Sequence, residues 1–76
     1  MALRPISRVW RADRRFECVV YMDEERNRWE VRLNRGPHVL HHVQLADATS
    51  AYMTALRWRR DMEWLVGPDR RFPVDR

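Results

Sequence analysis

The chain has 76 residues, enough for one modest core and too few for two, and its 45% hydrophobic content with four tryptophans argues against general disorder. All fifteen basic residues are arginine, and against eleven carboxylates they leave a formal net charge of +4, which suits an acidic partner. A single cysteine, Cys18, excludes an intramolecular disulfide and a cysteine-based zinc cluster within one chain, and no apolar run approaches the roughly 18 residues of a membrane span.

The first thirteen residues are interrupted by Arg4, Pro5, Arg8 and Arg11 before an apolar run reaches signal-peptide length. They read as a basic N-terminal arm, and with the lone cysteine they suggest a cytoplasmic protein. From Arg14 to Asp23, "RRFECVVYMD" is rich in β-formers, with Phe16, Cys18, Val20 and Met22 alternating against Arg15, Glu17, Val19 and Tyr21, as a first strand requires. The polar "EERN" separates it from "RWEVRLN". There Trp29, Val31 and Leu33 fall on one side and Arg28, Glu30, Arg32 and Asn34 on the other. "NRGP" then reverses the chain, because glycine accepts positive φ and proline cannot continue a central ladder.

All three histidines follow in "HVLHHV". A helix would gather His38, His41 and His42 on one face, as a metal site needs. The alternation of Val39, His41, Val43 and Leu45 with Leu40, His42 and Gln44 favours a third strand, on which His41 points to the core and His38 and His42 stand roughly 13 Å apart on the other face. That separation is too wide for one ion, so no metal is expected.

At Asp47 the period becomes helical. Asp47 can cap a first turn beginning at Ala48, and Gly67 and Pro68 stop the helix after Val66. Ala48, Ala51, Tyr52, Ala55, Leu56, Met62 and Val66 share one face, with Trp58 and Leu65 at its margin and an Arg59–Glu63 couple intruding at its edge. The predicted fold is α+β: a three-stranded antiparallel sheet covered on one face by one C-terminal helix (βββα), over residues 14–66, followed by a basic tail over 67–76. Trp29, Val31, Leu33, Val43, Tyr52, Ala55 and Leu56 form its predicted core.

Two candidate surfaces remain. The uncovered sheet face presents Arg15, Tyr21, Arg28 and Arg32, with His38, His42, Glu17 and Glu30 among them; the arm adds Arg4, Arg8, Arg11 and Arg14. Arginine bonds phosphate and guanine in bidentate fashion and stacks on bases, so Arg11, Arg14, Arg15, Tyr21, Arg28 and Arg32 are the candidate DNA- or RNA-binding residues. Two plainer accounts fit the same residues. The charges can pair across strands on a solvated face, and a GC-rich coding sequence favours arginine over lysine, though it does not explain the positive excess. The second surface is a helix stripe, Met53, Arg57, Arg60 and Trp64, directed away from the core face and suited to a protein partner or a homodimer seam. Alternatively, Trp64 folds back onto the tail and Met53 is an incidental exposed residue.

In arrangement, an arginine-bearing three-stranded sheet backed by a helix resembles the DNA-binding domains of plant AP2 factors and the arm-binding domains of phage-type integrases. "LADATSAYMTAL" is also similar to the alanine-rich helix start of the AP2 family. The resemblance implies a sheet that enters the major groove. The dense glycine, arginine and tryptophan motifs of the AP2 strands are absent from this chain.

Enzymatic chemistry is not expected. There is no glycine-rich phosphate loop, and Ser7 and Ser50 lack an acid–base companion at a useful spacing. Cys18 falls mid-strand on the core side, and nothing suggests a cofactor. The expected function is that of a small binding module, for nucleic acid through the sheet and arm or, alternatively, for a protein through the helix stripe.

Overall fold

A computed structural model describes residues 3–61. Strands β1 (Leu3–Ala12), β2 (Phe16–Asp23), β3 (Arg28–Arg35) and β4 (His38–Leu45) precede one helix, α1 (Ala48–Arg60). The strands form a single antiparallel sheet in sequence order, and α1 packs across one face against all four. The α+β class, the antiparallel sheet and the C-terminal helix agree with the sequence reading. The number of strands does not: the sheet has four.

The additional strand is the segment read as a basic arm. Its register against β2 shifts twice, once at Ile6 and once at Val9, where β1 carries an extra residue. These two bulges spoil the two-residue period by which strands are recognised, so Leu3, Ile6, Val9, Trp10 and Ala12 follow no alternation in sequence. The strand nevertheless supplies a principal core residue. Trp10 is buried, and its indole N–H donates to the carbonyl oxygen of Ala55 on α1 at 2.7 Å.

On the helix side of the sheet, Phe16, Cys18, Val20, Val31 and Leu33 are buried beneath Ala51 and Ala55, with Trp29, Val43, Leu45, Tyr52 and Trp58 packed around them. Small alanines let the helix backbone come close to the sheet, as the indole bond to the Ala55 carbonyl requires. Leu56, predicted for the core, is instead 54% exposed. The buried helix positions are Ala51, Thr54 and Ala55, and Trp58 reaches the ring of His41 edge-on at 6.3 Å between centroids. Trp10 and His41 therefore set the helix's rotation about its axis, and that rotation carries Leu56 outward. The helix begins as expected: Asp47 accepts a hydrogen bond from the Ser50 amide at 2.7 Å. Its predicted continuation to Val66, together with Glu63 and Trp64, lies outside the described residues.

The histidine segment is a strand, and His41 is half-buried on the helix side. However, β4 carries an extra residue at Leu40, so His38 pairs with Arg35 on the helix side while His42 pairs with Arg32 on the open side. The expectation that His38 and His42 share a face fails on that bulge. Among the described residues, no helix is long and apolar enough to cross a membrane.

Candidate nucleic-acid interface

The open face is a grid whose rows follow from the pairing. From one end to the other they run Arg11, Glu17, Asn34, Val39; then Arg8, Val19, Arg32, His42; then Pro5, Tyr21, Glu30, Gln44; and last Leu3, Asp23, Arg28. Of the candidate sheet residues, Tyr21, Arg28 and Arg32 take the positions expected of them. Arg15 does not, because β2 starts at Phe16 and Arg15 belongs to the preceding turn.

The middle of this grid is already internally paired. Glu30 is buried although no described element covers the face, and its Oε2 lies 2.5 Å from Arg32 Nε and 3.8 Å from His42 Nδ1. The Arg32 guanidinium also lies over the Tyr21 ring, 5.0 Å from its centroid. In the next row Arg8 reaches Glu17 at 3.5 Å, and Val19, flanked by Arg8 and Arg32, is buried. Asn34 Oδ1 is a buried acceptor that has no hydrogen-bond partner among the described residues. Arg32, the most central of the candidate arginines, is thus held by a carboxylate and an aromatic ring, and a phosphate would have to compete with both.

The remaining arginines are sorted by topology. The β1–β2 and β3–β4 turns lie at the same end of the sheet, joined by a hydrogen bond from the Gly36 amide to the Arg15 carbonyl at 3.1 Å. That end carries Arg11, Arg14, Arg15 and Arg35. Asp13 approaches Arg15 at 3.8 Å, and Arg35 lies over the Phe16 ring at 5.9 Å. The helix points the same way. It starts beyond Leu45 at the far end, and by Ala55 and Trp58 it has reached the row of Trp10 and His41, next to the last row before the turns. At about 1.5 Å per residue, Arg59 and Arg60 continue toward the two turns.

The opposite end is balanced. Arg4 pairs with Glu24 at 2.7 Å, and Asp23 accepts the amides of Glu25 and Arg26 at 3.2 and 3.3 Å, so that Arg26 and Arg28 share their turn with three carboxylates. The candidate residues therefore fall in three places, with Tyr21 and Arg32 in the middle of the sheet and the rest at its two ends. Arg11, Arg14 and Arg15 come together at the basic end, while Arg28 is seven residues along β3 from Arg35, roughly 23 Å at 3.3 Å per residue.

Two residues of the basic turn have left-handed backbones, Asp13 at φ 55° and Arg14 at φ 59°. Asparagine and glycine tolerate this region, as Asn27 and Gly36 do here, but arginine is strained in it. The turn thereby places Arg14, which is exposed, at its tip despite that strain. Arg35 and Arg59 were missed as candidates by sequence reasoning, because neither the end of the sheet on which a turn falls nor the direction of the helix is written in a local pattern.

The helix stripe keeps Met53, Arg57 and Arg60 on the outer surface, with Met53 59% exposed. Leu56 joins them, giving spacings of three, one and three along one face. Trp64, its fourth predicted member, lies outside the described residues. The chain matches no family model, and no curated protein or solved structure matches it.

Proposed function

We propose that the chain is a small, non-enzymatic nucleic-acid-binding module that meets the phosphate backbone with its basic end rather than with the flat of its sheet. One observation carries this reading: Arg11, Arg14, Arg15 and Arg35 from two hydrogen-bonded turns lie toward the same end as Arg57, Arg59 and Arg60, with few carboxylates among them. On the sheet face, by contrast, Arg32 is held at 2.5 Å by the buried Glu30, and Arg8 reaches Glu17 at 3.5 Å. At the basic end Arg15 and Arg60 have only long contacts to Asp13 and Asp61, at 3.8 and 3.9 Å, and Arg11, Arg14, Arg35, Arg57 and Arg59 have no ion pair among the described residues, so little internal pairing has to be broken before phosphate binds. The arginines in the last helical turn also favour the negative end of the helix dipole, a structural role that leaves their outer donors available.

The test is an anisotropy titration with duplex DNA, single-stranded DNA and RNA at several salt concentrations. Binding weakens steeply with salt, and Arg14→Ala with Arg15→Ala lowers the log–log salt slope by about 2. Arg26→Ala with Arg28→Ala at the opposite end removes the same formal charge and changes the slope little. Equal losses from both pairs would reduce the effect to net charge and overturn the assignment.

A second reading, a protein contact through α1, is favoured by the joint exposure of Met53 and Leu56 beside Arg57 and Arg60. It calls for a salt-resistant association that is lost in Met53→Ser with Leu56→Ser, with nucleic-acid affinity unchanged.

A further inference from the structure

The two edges of the sheet are built differently. β1 carries Pro5, bulges at Ile6 and Val9, and the side chains of Arg4, Arg8 and Arg11, all of which hinder another strand from pairing. β4 has none of the four formally charged residue types from His38 to Leu45 and no proline, and Val39 and Leu40 are 45% and 36% exposed along it. Among the described residues, a heavily guarded edge opposite one whose guard is a single bulge at Leu40 calls for a closed arrangement. Were β4 to accept β1 of another copy, the sheet would grow without end, and Pro5 and the bulges stand against that. We infer that β4 is the strand through which two copies of this chain pair, antiparallel and about a two-fold axis.

The bulge at Leu40 limits the regular part of the ladder to His41–Leu45. Within it a self-complementary register exists. With Val43 on the axis facing its own copy, His41 faces Leu45 of the partner subunit on the helix side and His42 faces Gln44 of the partner subunit on the open side. Paired residues lie on the same side of the sheet, as antiparallel pairing requires, and no arginine or carboxylate meets its like. An arginine-rich or acidic foreign strand would find no countercharge on β4, whereas a second β4 needs none. The two-fold axis also sends the two basic ends in opposite directions along a continuous eight-stranded sheet.

Sedimentation velocity of the full chain over a range of concentrations tests the inference. The expected result is a dimer that persists in high salt, together with amide exchange protection in β4 that rises with concentration. His42→Lys with Gln44→Lys places lysines opposite one another twice across the seam at exposed positions and converts the dimer to monomer with unchanged circular dichroism. Ile6→Lys, on the guarded edge, leaves it a dimer. A wild-type monomer at every concentration, or a dimer that survives the lysines, overturns the inference. So does a dimer abolished only by Met53→Ser with Leu56→Ser. If the lysine variant fails to fold, the concentration dependence of β4 exchange in the wild type decides. This result is independent of the arginine variants that test nucleic-acid binding.

Discussion

Trp10 and Ala55, 45 positions apart in sequence, are joined by a 2.7 Å hydrogen bond from the indole N–H to a helix carbonyl. That contact ties β1 to α1 and fixes which way the helix faces. It makes the N-terminal segment part of the folded unit, with consequences for stability and for both candidate surfaces.

Trp10→Phe removes the donor and keeps most of the apolar volume, so it costs about 1 kcal/mol. Trp10→Ala opens the core and costs about 3–5 kcal/mol, most of the stability of a domain this small. Urea denaturation measures both. An unchanged midpoint for Trp10→Ala would mean that residues 3–12 are dispensable.

Arg14 combines a strained backbone with a place at the basic tip. Arg14→Gly relieves the left-handed strain and raises stability by about 0.5–1 kcal/mol, less than the full penalty because glycine is also freer when unfolded. The same change weakens nucleic-acid binding. Thermal melts and anisotropy on one variant should therefore move in opposite directions, and a stability loss would contradict the strain.

Glu30 separates end-on binding from binding through the sheet face. Glu30→Gln weakens the hold on Arg32 and lowers stability by about 1–3 kcal/mol, because a buried charge-assisted bond is lost. It also adds one positive charge to the open face. If the basic end makes the contact, nucleic-acid affinity stays within about twofold at physiological ionic strength, where charges more than about 8 Å away are screened. A marked gain in affinity would return the interface to the sheet.

Two groups give the stability profile opposite limbs. Burial pushes the Cys18 thiol up to about 12, so the folded chain keeps this proton where the unfolded chain loses it. Its contribution is complete below the ordinary thiol range and declines as pH rises from there toward about 12. At neutral pH, alkylation of Cys18 should follow unfolding rather than surface access. The Ser50 backbone amide, followed by the Ser50 side chain, lowers the Asp47 carboxyl. That contribution is present above the usual carboxylate range and is lost as pH falls through the lower folded value. Asp47→Asn retains an acceptor at the cap and flattens the acid limb, as melts across pH would show.

Local pattern was enough for β3, for most of β2, for the strand through the histidines and for the start of the helix at Asp47. In each, side-chain periodicity or a cap depends only on near neighbours along the chain. It was not enough for β1, whose two bulges break the period and whose evidence for being a strand is its partner, β2. Nor was it enough for His38, moved to the other face by one extra residue at Leu40, or for Leu56, whose exposure depends on a helix rotation set by Trp10 and His41. The candidate interface shows the same division. Composition supplied the arginines and their excess, but the gathering of Arg11, Arg14, Arg15 and Arg35 at one end comes from strand order and register. Those are settled by which strands bury apolar surface together, a property of the whole chain that no window of sequence contains.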